Sequence, residues 1–182
     1  MRTQQTSTDA ETAWTGFLDN DVHDGDHSSS SIQAVMINRP RSELYGFWRE
    51  FRNLPLFMAN VRSVSGDGRV WIIAGPGGFE VQLETEIIED RPGEKIAWRS
   101  TESADVDHEG WVEFRDNAFG RGTEVRVMIS YDPPAGAVGK LVAKVMQREP
   151  RIQARRELRR FKQLMETGEV STSQAPVAAP RG

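Results

Sequence analysis

Three features of the chain predict an α+β domain, an antiparallel sheet with one long C-terminal helix against its face. Period-two alternation dominates the middle of the sequence. Clusters of Gly, Pro and Asp punctuate that alternation, and one extended run at helical spacing closes it. The 182 residues suffice for one domain with tails. Hydrophobic residues at 37% and charged residues at 27% are the balance of a water-soluble globule.

The first β-type segment runs from Ser31 to Asn38 (Ile32, Val35, Met36, Ile37) and stops at Asn38-Arg39-Pro40, where proline removes a donor. A helix is expected next, capped by Ser42 and carrying Leu44, Tyr45, Phe47, Trp48 and Phe51 at helical spacing. Pro55 breaks it, and Leu54, Leu56, Phe57 and Met58 predict a second short helix or turn. Strands follow over Val61–Ser65 and Val70–Ala74, separated by Gly66-Asp67-Gly68.

After Gly75-Pro76-Gly77-Gly78, which reads as a hairpin turn, the alternation sharpens. Phe79, Val81, Leu83, Thr85 and Ile87 take one face, and Glu80, Gln82, Glu84 and Glu86 the other. Asp90-Arg91-Pro92-Gly93 turns the chain into Lys95–Ser100, and the last strands are Glu109–Arg115 and Thr123–Tyr131. From Ala137 to Thr167 apolar residues recur at steps of three and four, a helix of about 45 Å. Pro150 predicts a break near Gln147–Glu149, and Gly168 the stop.

The domain is thus expected over residues 31–169, with a polar N-terminal tail over 1–30 and a flexible C-terminal tail over 170–182. Within the first tail, Trp14, Phe17 and Leu18 stand at i, i+3, i+4, the spacing of a short amphipathic helix that docks on the domain or on a partner. The net charge of −4 speaks against nucleic acid as a partner. The absence of cysteine removes disulfides, thiolate metal sites and cysteine nucleophiles, and fits a cytoplasmic location. No apolar run reaches the roughly 20 residues of a membrane span.

Several stretches resemble the START-like, helix-grip superfamily of polyketide cyclases and dehydrases, coenzyme-Q-binding proteins and ligand-binding plant allergens, most closely its bacterial cyclase/dehydrase branch. They are Ile37-Asn38-Arg39-Pro40 leading into Tyr45-Gly46-Phe47-Trp48-Arg49, Asn53-Leu54-Pro55-Leu56-Phe57-Met58, Glu89 to Ser100, Gly120 to Val125 and Arg159 to Leu164. The resemblance implies a curved antiparallel sheet of about six to seven strands wrapped around the terminal helix. It also implies a cavity for a hydrophobic small molecule such as a lipid, quinone or polyketide-like compound, and no cofactor. The candidate lining residues are Phe47, Phe51, Phe57, Met58, Trp71 and Phe79, followed by Val81, Leu83, Trp98, Val112, Val127 and Ile129. The same residues equally suit plain core packing.

Catalysis has a thin residue base. The histidines are His23, His27 and His108; the first two fall in the tail, and His108, between Asp107 and Glu109, is expected to be an exposed surface residue. A metal site is not expected, because His23, Asp24, Asp26 and His27 lie in a tail without fixed geometry. A cyclase or dehydrase would need one positioned acid or base, for which Glu86, Arg99, Glu113 and Tyr131 are candidates; alternation puts several of them on the wet face, and a solvated role is expected for each. The basic run Arg148, Arg151, Arg155, Arg156, Arg159, Arg160 and Lys162 offers a third role, docking of anionic lipid headgroups or an acidic protein, and the resemblance includes co-chaperone-like relatives that dock a partner; a homodimer also stays open.

Overall fold

The computed structural model describes residues 31–74, 78–102, 104, 106–118, 120–132 and 150–170. The element order is β1 (Ser31–Ile37), α1 (Arg41–Arg49), a 3-10 helix (Phe51–Leu56), β2 (Val61–Val64), β3 (Val70–Ala74), β4 (Glu80–Arg91), β5 (Lys95–Ser100), β6 (Asp107–Asp116), β7 (Thr123–Asp132) and α2 (Pro150–Thr167). All strand pairs are antiparallel, in the order β1-β7-β6-β5-β4-β3-β2. The sheet curls into a half-barrel over the terminal helix, the expected helix-grip arrangement.

Alternation decides which side chains turn inward. On β4, Val81, Leu83 and Thr85 are buried, whereas Glu80 and Gln82 are exposed. A bulge between Ile87 and Glu89 then reverses the parity, so Asp90, paired with Ile96, stands on the α1 side of the sheet while staying exposed. There it accepts hydrogen bonds from Arg49 Nε at 2.6 Å and from the Tyr45 hydroxyl. Burial works against the Asp90 charge, yet these two donors hold its carboxyl below the usual range.

Helix α1 starts without a side-chain cap. Ser42 lies inside it, and the residue before the helix is Pro40, whose extended backbone (φ −61°, ψ 142°) turns its carbonyl to the amides of Glu43 and Leu44. Pro40 thus holds the cap position expected for Ser42, its fixed ring torsion setting the backbone there, and no side chain caps the helix. Proline opens α2 as well, at Pro150. The part of the expected long helix before Pro150, and both tails apart from Val170, lie outside the described residues.

The C-terminus of α2 is tied to the end of β1. Arg39 donates from Nε to the Met165 carbonyl at 2.8 Å and from Nη2 to that of Glu166 at 3.1 Å, two carbonyls that a helix end leaves unpaired. In return the Glu166 carboxylate accepts from the Asn38 amide at 2.7 Å, and Lys162 joins Glu166 to the Met36 carbonyl. Gly168, at φ +80°, then ends the helix as expected, its amide on the Leu164 carbonyl at 2.8 Å.

Candidate ligand site

The concave face divides into two ends. At one, Trp48, Phe57 and Phe161 meet with ring centroids 4.8–5.0 Å apart, and Phe47 and Phe114 pack at their margin. The inward residues of this half, Val112, Phe114, Val125 and Val127, are buried, so side chains fill the space between sheet and helix. At the other end stand Phe51, Trp71 and Trp98, with centroids 5.1–5.9 Å apart. Here Phe79, Ile129 and Tyr131 pack against the core yet keep accessible surface.

Of the sequence-derived lining residues, Phe47 and Phe57 thus join the first ring group and Phe51, Trp71 and Trp98 the second. Met58, Val81, Leu83, Val112 and Val127 are buried in the same continuous core, and Phe79 and Ile129 border it at the looser end. The cavity is what the START-like resemblance implies, and alternation and helical spacing assign residues to its face without reporting their depth.

Histidine 108 departs from expectation: it is 4% exposed and points inward. The reason is periodicity, since Asp107 and Glu109 take the outer face and the residue between them must take the inner one. Its Nδ1 lies 3.2 Å from the Val106 carbonyl, and its Nε2 2.9 Å from the Thr85 hydroxyl. A carbonyl only accepts, so the neutral ring carries its proton on Nδ1 and Nε2 accepts from Thr85. Loss of hydration pushes the His108 pKa below its ordinary value; the Val106 carbonyl and nearby Asp107 oppose this but do not reverse it. The imidazole is neutral at physiological pH.

Across the sheet His108 pairs with Tyr131, and the two rings stack with centroids 6.4 Å apart. Ser100 pairs with Thr85 on the next two strands. Threonine, histidine and tyrosine thus form a polar inward border where the sheet is less tightly filled. Burial, and then repulsion from the buried Glu157 of α2, push the Tyr131 hydroxyl far above its ordinary pKa. Tyr131 is therefore desolvated although part of its surface is accessible. Beside this border the indole N–H of Trp98 is buried without a hydrogen-bond partner, an unused donor inside the fold.

The other three candidate acids and bases are solvated, as expected. Arg99 and Glu86 pair on the outer face at 2.8 Å, and Glu113 meets Arg115 at 2.8 Å. Tyr131 alone of the four faces inward. Among the described residues no group of acidic and histidine side chains could hold a metal, and no helix is long and apolar enough to cross a membrane; His23 and His27 lie outside them. A groove of about 340 Å³, lined by Phe51, Gly68, Arg69, Thr85 and Ile87 among others, brings the outer surface to the Thr85 end of the border.

A sequence model of the family described as polyketide cyclase/dehydrase and lipid transport matches residues 37–159. The chain belongs to this family. Its match runs from the end of β1 into α2 and so includes the whole inward border. Among solved structures it is similar to a Deinococcus radiodurans protein at 35% identity, covering 77% of this chain and 98% of that one, with a TM-score of 0.61. It shares the fold of a Thermus thermophilus protein (19% identity, 74% and 95% coverage, TM-score 0.58). It shares it also with a Streptomyces aromatase/cyclase, ZhuI (11%, 80% and 100%, TM-score 0.57). No curated protein sequence matches the chain.

Proposed function

We propose that this family member encloses an apolar small molecule bearing a carbonyl or hydroxyl oxygen, of lipid, quinone or polyketide type, with that oxygen at Tyr131. The observation that carries the reading is the place of Tyr131: an inward phenol, stacked on His108 and only partly buried against the core, beside Phe79 and Ile129, which also keep accessible surface. A protonated phenol in apolar surroundings is a strong donor to a carbonyl, and the rings of Trp71 and Trp98 supply flat apolar walls. The family's descriptor, which joins cyclase chemistry with lipid transport, supports an internal ligand.

Displacement of an environment-sensitive naphthalene dye tests this reading. Tyr131→Phe is expected to weaken a hydroxyanthraquinone about five- to tenfold, the worth of one hydrogen bond, while leaving a hydrocarbon analogue unchanged. Failure of the full chain to bind dye or quinone would refute it.

A second reading, a cyclase or dehydrase, is favoured by the inward, neutral His108 beside Tyr131, a base and an acid on one wall. Turnover of β-hydroxy ketone substrates that disappears in His108→Gln but not in Arg99→Gln supports it. The exposed Arg155, Arg156 and Arg159 on α2 keep an acidic partner in view. A salt-sensitive association unchanged by Arg155→Glu with Arg159→Glu would remove that role.

A further inference from the structure

The convex face carries an apolar row that the concave core does not account for. Ala97 pairs with Trp111, Trp111 with Met128, and Met128 with Ile32, so the four side chains cross β5, β6, β7 and β1 side by side. Ala97, Trp111 and Met128 form a cluster of their own, separate from the main core. The buried residues of α1, the 3-10 helix and α2 belong to that main core on the other face. Trp111 is nevertheless 8% and Met128 7% exposed, while Ile32, at the open end of the row, is 48% exposed. A tryptophan and a methionine on the outside of a one-layer sheet call for a cover.

We propose that the N-terminal segment of the same chain is this cover, with Trp14, Phe17 and Leu18 laid along the row. The three recur at i, i+3, i+4, a stripe of one helix face matched in width to a single cross-strand row. The connection is short and starts at the right place. Residues 19–31 lead directly to Ile32 and can extend to about 45 Å, against about 15 Å for three strand spacings. Charge does not oppose the placement: Glu11, Asp19 and Asp21 flank the apolar trio, and beside the row Lys95 and Arg126 are already paired with Glu89 and Glu113. The cover acts on the face opposite Tyr131 and is independent of what the interior binds.

The chain has no cysteine, so Gly16→Cys gives a single attachment point for a nitroxide, on the side of such a helix opposite the apolar trio. In the full-length labelled protein the amide signals of Ile32, Ala97, Trp111 and Met128 are expected to lose most of their intensity. Those of Asp67, Gly68 and Glu166 are expected to keep theirs. Adding Trp14→Asp, Phe17→Asp and Leu18→Asp to the labelled chain should abolish the loss, with the remaining spectrum reporting an intact fold. Loss centred on Arg155–Arg159, or spread evenly over the molecule, overturns the proposal. So does loss that appears in an isotope-labelled chain without nitroxide when it is mixed with the nitroxide chain, which would make a second copy the cover.

Discussion

The Trp98 indole lies directly over Gly110, its cross-strand partner: a Cβ on Gly110 would come within 2.6 Å of Cζ2 and 2.8 Å of Cε2, and 2.9 Å from the Met128 carbonyl. The glycine is therefore a space on the concave wall, and the largest side chain of β5 fills it. Trp98 in turn supports Trp71 and Phe51.

Gly110→Ala is expected to destabilise the fold by about 1–3 kcal/mol, because the ring is held on one side by Phe51 and Trp71 and on the other by backbone. Denaturant unfolding should show a lower midpoint at unchanged slope. Gly46→Ala makes the opposite case: it sits within α1 with nothing near its Cβ position, so the same change should stabilise by about 0.5–1 kcal/mol. Equal effects at the two positions would contradict the packing described for Trp98.

His108 predicts a pH dependence. Its folded pKa lies below the ordinary value of 6.5, so between the two values the unfolded chain binds the proton and the native protein does not. Stability is complete above about 6.5 and declines as pH falls through the folded value. Unfolding midpoints measured from about pH 7 to pH 5 should decline in the wild type. In His108→Gln, whose amide can still meet Thr85, that part of the slope should be absent. A parallel pair of curves would mean that His108 is protonated in the fold.

The tie between β1 and α2 is expected to matter more than its exposure suggests. Arg39→Ala removes both donors to the Met165 and Glu166 carbonyls and should cost about 1 kcal/mol or somewhat more. Arg39→Lys should recover less than half, since one ammonium cannot reproduce the fork on two carbonyls. Thermal unfolding of both variants reads this directly.

Glu166 adds a second, more acidic window. The Asn38 amide, followed by Lys162, holds its carboxyl below the ordinary 4.5 despite the opposing effect of burial. Its contribution is present above about 4.5 and is lost as pH falls through the folded value. Glu166→Gln should therefore flatten the wild-type loss of stability below that pH while leaving the His108 window unchanged.

Much of the fold was legible because local chemistry and tertiary packing agree. The edges of β3 and β5 coincide with the turn residues around them, and the alternation on β4 matches its buried face as far as the bulge. The START-like resemblance, resting on segments such as Asn38-Arg39-Pro40, pointed to the family that the match over residues 37–159 establishes. Arg39 shows what one such segment does: it closes the end of a helix 126 residues away.

Other features were misjudged or hidden. Ser42 has the chemistry of a cap, but with Pro40 at the cap position the helix starts two residues earlier than a cap at Ser42 allows. His108 looked exposed because its neighbours are acidic, although period two already assigned it the inner face. Trp111 and Met128 share the outward parity of glutamates and arginines, and only strand registration brings them beside Ala97 and Ile32.

From the sequence alone came the elements, the inward and outward faces of most strands, and the lineage, since these depend on residues a few positions apart. Tertiary structure alone decided which residues of different strands stand together. The Thr85–His108 bond, the Tyr131 environment and the glycine space under Trp98 depend on register across the sheet, and register is set by the pairing of distant segments.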